Sequence, residues 1–134
     1  MFVFTLVLAG SYNISAVINP ESIFYSPADQ RAFAWMQQNL PAESRILINS
    51  YHWAEGYNAV DGGGWLTYLT TYKIIYPKTT DAYANIADFV HQSDVDYIYL
   101  GSGFGELTPR NINNVPNSLL YNEDGIYIYD VLSR

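Results

Sequence analysis

Three short apolar runs decide most of what this chain can fold into. Residues 45–50 (RILINS), 73–76 (KIIY) and 96–100 (DYIYL) are too short for helices and rich in β-branched and aromatic side chains, so each reads as a buried strand. Helical segments alternate with them. Ser26 supplies an N-cap, Pro27 the first helical position and Asp29 the third, and Phe33, Met36 and Leu40 follow at helical spacing with Trp35 alongside. That helix must stop near Asn39, because Leu40 precedes Pro41. A second helix opens at Thr80 with Asp81 in its first turn, and Tyr83, Ile86, Ala87 and Val90 form its apolar stripe. Trp65, Leu66, Tyr68 and Leu69 read as one or two helical turns, and a short turn follows Pro109. Residues 51–60 (YHWAEGYNAV) show no period and read as irregular. At the end, residues 119–121 and 126–131 form a hairpin closed through Asn122-Glu123-Asp124-Gly125. The expected architecture is α/β: a small, mostly parallel sheet flanked by helices, with a C-terminal antiparallel hairpin.

A length of 134 residues fits one domain, and 49% apolar residues suffice for a core. Charged residues are only 14%, and 13 tyrosines take over part of the surface with rings that carry a polar tip. The net charge of -7 argues against nucleic acid and against direct contact with an anionic membrane surface. The absence of cysteine removes disulfides, thiolate chemistry and cysteine zinc sites. Residues 1–10 (MFVFTLVLAG) are apolar but too short to span a bilayer, and no basic region precedes them as in a signal peptide. They read either as the outer end of a transmembrane helix or as a buried strand. Residues 11–134 then form the domain, with an irregular connection at 11–25 that contains a glycosylation-type triplet, Asn13-Ile14-Ser15.

Four segments are candidates for chemistry. His52 lies beside Trp53 and Glu55, but the other histidine, His91, sits on the second helix and no carboxylates share a metal-ligand spacing, so a structural histidine is expected. Asp61-Gly62-Gly63-Gly64-Trp65 is the most specific feature, because consecutive glycines cost backbone entropy. Either the backbone needs positive φ there, or another group approaches closely. Asp61 would then offer a carboxylate to a ligand hydroxyl, with Trp53, Trp65 or Tyr68 as the ring face of a sugar site. The plainer reading is a tight loop in which Asp61 caps a helix and Trp65 enters the core. Gly101-Ser102-Gly103-Phe104-Gly105-Glu106 follows a strand as a phosphate loop would. Glu106, however, stands where the third glycine belongs, and Pro109 prevents an immediate long helix. Tyr97-Ile98-Tyr99 and Tyr127-Ile128-Tyr129 read as strand packing. No nucleophile elbow is present, and no catalytic residue is assigned.

Taken together, AFAWMQQNLPAESRILINSYHWAEGYNAVDGGGWLTYLTTYKIIYP, DVDYIYLGSGFGELTP and LLYNEDGIYIYDV resemble the C-terminal extracytoplasmic domain of bacterial multi-spanning membrane glycosyltransferase-like proteins of the protein mannosyltransferase and oligosaccharyltransferase type. The resemblance spans residues 28–131. It lies in the Trp-bearing helix ending in Asn-x-Pro, the Asp-Gly-Gly-x-Trp turn, the strand ending in Pro and the closing aromatic strand. It departs at Thr71-Tyr72, where such proteins often carry Gly-Arg, so that arginine's positive contact is missing. The resemblance implies a location at the outer face of the cell membrane and partners in the membrane portion of a parent protein and in a glycan or lipid-linked sugar acceptor. It puts the parent's catalytic acids in that membrane portion, and implies no cofactor here. Trp53, Asp61, Gly62, Gly63 and Trp65 would face the membrane portion or the acceptor. The expected role is an accessory domain that positions the acceptor or braces the membrane portion. The alternatives are an independent exported carbohydrate- or peptide-binding module and, more remotely, a small nucleotide-binding enzyme built on Gly101–Gly105.

Overall fold

A computed structural model describes residues 25–54, 57–78, 80–103 and 105–132, with backbone alone at 52–54, 57–59, 80 and 81. The apolar leader at 1–10, the Asn13 triplet, Glu55 and Phe104 therefore lie outside the described residues, as does the Thr80 side chain.

Helix α1 (Pro27–Asn39) starts where the sequence signals it. Ser26 Oγ accepts the Asp29 amide at 3.3 Å, while Asp29 Oδ2 takes the Ser26 amide at 2.8 Å and its hydroxyl at 2.6 Å. At the other end, Leu40 is extended at φ -108°, as a residue before proline prefers. Strand β1 (Arg45–Ile48) follows. Next come β2 (Ser50–Ala54), β3 (Tyr57–Val60), a 3₁₀ turn at Gly62–Trp65, α2 (Leu66–Leu69) and β4 (Lys73–Ile75). Helices α3 (Thr80–Ala84) and α4 (Ile86–Gln92) lead to β5 (Tyr97–Leu100), a 3₁₀ turn at Asn111–Asn114, and β6 (Asn117–Glu123) and β7 (Ile126–Val131).

Five strands form one sheet in the order β4-β1-β5-β7-β6, and β2 pairs with β3 in a separate two-stranded sheet. The domain is mixed α/β, but the main sheet is not mostly parallel. β1 pairs parallel with β4 and β5, whereas β7 pairs antiparallel with both β5 and β6. The closing hairpin accounts for two of the five strands, and strands joined by a two-residue turn must run antiparallel. Asp124 and Gly125 make that turn with φ of 52° and 78°, the doubly positive geometry that Asp-Gly favours.

Two further expectations need correction. Residues 51–60 are not irregular: they supply the β2–β3 hairpin, whose mixed aromatic, polar and small residues hide the strand period. The second helix is also not continuous. Asn85, at φ -123° and ψ 48°, separates α3 from α4 although the apolar stripe runs through both.

The sheet is covered on both faces, and strand alternation sorts the core. Ile46 and Ile48 of β1, Tyr97 and Tyr99 of β5, and Ile126 and Ile128 of β7 pack with Ala32, Phe33 and Met36 of α1. Leu47, Ile98, Leu100 and Val131 point the other way, to Ile86 and Val90 of α4 and to Ile112. Among the described residues, no helix is long and apolar enough to cross a membrane.

Candidate functional site

β1 and β5 are parallel neighbours whose chains diverge at their C-terminal ends. From β1 the chain goes to the small hairpin and on to β4 at one side; from β5 it goes to the β6–β7 hairpin at the other. Open α/β sheets bind ligands at such a divergence. Here the cleft is closed by the protein's own polar side chains. Asn49, buried just past β1, donates from Nδ2 to the Leu107 carbonyl at 2.8 Å, and its Oδ1 accepts the Leu107 amide at 2.9 Å. Its backbone carbonyl accepts the Asp61 amide at 3.3 Å.

Asp61 fills the rest. It is 2% exposed, and its Oδ1 accepts the Gly63 amide at 2.9 Å while its Oδ2 accepts the Gly101 amide at 2.8 Å. One carboxylate thus caps the 3₁₀ turn and ties it to the end of β5. Burial pushes its pKa up to about 7, against the lowering effect of the two amides, and the nearby Asp29 carboxyl adds to the rise. Asp29 is itself buried and accepts the Tyr99 hydroxyl on Oδ1. Burial and this acidic neighbour raise the Tyr99 pKa, so the phenol stays protonated.

The glycines serve this packing. Among the described glycines only Gly125 has positive φ, so in the Asp61–Trp65 segment it is close approach, at Gly63 and Gly64, that calls for glycine. A Cβ on Gly63 would lie 2.8 Å from Ile48 Cγ2 and 2.9 Å from both Asp61 Oδ1 and Tyr99 Cδ1. On Gly64 it would meet Val60 Cγ2 at 2.5 Å, and on Gly101 it would meet Asp61 Oδ2 at 2.7 Å. Gly105 has no room either, with Asn49 Cγ only 2.0 Å away. Amides on either side of the loop after β5 are already engaged: Gly101 with Asp61, Glu106 with the Ser50 carbonyl and Leu107 with Asn49. The Asp61 carboxyl thus takes the Gly101 amide from inside the fold.

The expected ring face lies just outside this plug. Trp65 is not in the core: it is 48% exposed, because the step from the 3₁₀ turn into α2 turns Leu66 inward instead, to 0% exposure. Tyr68 on the next turn is 82% exposed. The rings form a ladder from core to surface, with centroid separations of 5.5 Å for Tyr99–Phe33, 5.6 Å for Phe33–Tyr25, 5.8 Å for Tyr25–Trp65 and 6.3 Å for Trp65–Tyr68. Val60, Asp61, Gly64, Trp65 and Tyr68 line a groove of about 280 Å³.

Of the expected site residues, Asp61, Trp65 and Tyr68 therefore meet at one groove, while Gly62 and Gly63 are buried beneath it. Trp53 and His52 are placed by backbone alone, on β2. His91 lies in the last turn of α4, and among the described residues no His, Asp and Glu cluster as a metal site. The sequence reading missed Asn49, Asp29, Tyr99 and Gly101 as partners of Asp61. Asp29 carries the signal of a helix cap and Tyr99 that of a strand residue, and their meeting depends on tertiary packing. Comparison with protein-family models, curated proteins and solved structures finds no match to this chain.

Proposed function

We propose that this chain is an accessory domain of a membrane glycosyltransferase-like protein, at the outer face of the cell membrane, and that it holds a carbohydrate acceptor against the Trp65–Tyr68 face. The membrane parentage rests on the resemblance of residues 28–131. The carbohydrate contact rests on one observation: two large rings are held outward on adjacent turns beside a groove, over a core that already buries Leu66, Phe33 and Tyr99. A sugar presents an apolar C–H face to such rings and its hydroxyls to water, which suits side chains with an apolar body and a wet edge.

The role is contact rather than chemistry. Both Asp61 oxygens accept backbone amides, and both Asp29 oxygens accept hydroxyl or amide donors, so neither carboxylate is aimed at a substrate atom. Titration of the chain with neutral oligosaccharides, followed by isothermal calorimetry, tests the reading. Trp65→Ala is expected to weaken binding at least about tenfold while circular dichroism stays unchanged, the loss of roughly one good ring contact. No binding by the parent chain, or binding that survives the substitution intact, contradicts it.

A further inference from the structure

We infer that the Trp65 groove is one end of a longer track that takes a neutral oligosaccharide of more than one sugar unit. This rests on the carbohydrate reading above and adds the ligand's extent and charge. A second groove, of about 360 Å³, lies between the end of α1 and the α2–β4 connection. Tyr68 lines both grooves, so its exposed ring is the wall they share.

Between them the two grooves offer both kinds of contact that a sugar chain makes, ring faces for its C–H faces and polar groups for its hydroxyls. The first offers ring faces. The second offers Gln37, Thr71 and Tyr72 in its lining. Gln37 donates one N–H to the Leu69 carbonyl at 3.2 Å, which steadies the side chain and leaves its amide oxygen as an acceptor. Thr71 is exposed, and its hydroxyl has no hydrogen-bond partner among the described residues. Burial and the neighbouring Tyr97 raise the Tyr72 pKa, so its hydroxyl remains a donor throughout the physiological range. Thr70 is already committed, donating to the Leu66 carbonyl at 2.6 Å and accepting the Tyr72 amide at 3.3 Å.

Charge selects the class of glycan. Neither lining contains Lys or Arg. Acidic sugars and sugar phosphates are held by cations, preferably by arginine pairs, so they have no counterpart here. The net charge of -7 disfavours them further.

The test is calorimetry on the full 134-residue chain with mannose, a linear mannotetraose, maltotetraose and tetragalacturonic acid, together with Trp65→Ala, Gln37→Ala and Thr71→Val variants checked for fold by circular dichroism. A neutral tetrasaccharide is expected to bind at least about tenfold more tightly than mannose. Gln37→Ala and Thr71→Val should each weaken the tetrasaccharide about three- to tenfold and leave mannose unchanged, as the loss of one hydrogen bond implies. Trp65→Ala should weaken both. Equal affinity for the short and long neutral sugars overturns the track, as does indifference to Gln37→Ala and Thr71→Val. In either case, sensitivity to Trp65→Ala leaves the carbohydrate reading standing. Tighter binding of tetragalacturonic acid overturns the neutral specificity. Failure of every sugar to bind removes both readings together.

Discussion

Asp61 shows how one side chain can set the pH response of this domain. Its ordinary pKa of 3.8 becomes about 7 in the fold, so its protonated form is the one the folded state prefers. Well below pH 3.8 it is neutral in both folded and unfolded chains and costs nothing. As pH rises through the window between 3.8 and 7, the unfolded chain gives up the proton and the folded one keeps it, so stability falls; above 7 the full cost is present. The size is on the order of 4 kcal/mol at most, from the shift at about 1.4 kcal/mol per pH unit. Urea unfolding midpoints measured from pH 4 to pH 8 are expected to fall, and Asp61→Asn to flatten that fall. In the variant one amide-bearing edge would face an N–H donor, so it should also be less stable than the parent at pH 4. A curve for the unsubstituted chain that is flat, or that rises with pH, would show that the two backbone amides match or outweigh burial.

The elements differ in how far their residues announce them. α1 was legible to the residue, because Ser26, Pro27, Asp29 and the Leu40-Pro41 step are local signals that act locally. The closing turn was legible in place but not in extent: Asn122-Glu123-Asp124-Gly125 marked it, yet Asn122 and Glu123 belong to β6 and Asp124 and Gly125 alone make the turn. The β2–β3 hairpin was not, since its pairing is made across the strands and its residues alternate no property that a single strand displays. β6 hides another non-local feature. Leu119 pairs with Tyr129, but Tyr121 pairs with Ile128, so an extra residue at Leu120 switches the strand from one face of the sheet to the other. That switch brings Tyr121 to Trp35 of α1, with ring centroids 5.4 Å apart. In α1 the cap also does more than its sequence says, because Asp29 satisfies the buried Tyr99 hydroxyl as well as Ser26. Ser26→Ala should cost about 1 kcal/mol, the ordinary loss of a cap. Asp29→Ala should cost about 1–3 kcal/mol more, because it leaves a buried hydroxyl unpaired. Chemical denaturation of the two variants checks this ordering, and equal losses would mean that Tyr99 finds another partner.

At the scale of the whole molecule, the sheet positions the candidate site. Parallel β1 and β5 part at their C-terminal ends, Asn49 and Asp61 plug the gap, and the plug in turn fixes the 3₁₀ turn from which Trp65 and Tyr68 project. The sequence marked Asp61, Trp65 and Tyr68 as a group because acid, glycines and rings are contiguous. It could not divide their roles: the acid turns inward as a structural latch and the rings turn outward as a surface. That division depends on Gly101 and Asn49, which lie elsewhere in the chain and meet the segment only in the fold. On the proposed reading, the outward rings form a carbohydrate face while the strand-end plug stays closed. Amide chemical-shift mapping of the ¹⁵N-labelled chain with a linear mannotetraose tests it most directly. Perturbations concentrated at residues 64–72, with Gly101 and Leu107 unmoved, are the predicted result. Shifts centred on residues 101–107 would contradict it, and so would a spectrum that does not change at saturating sugar.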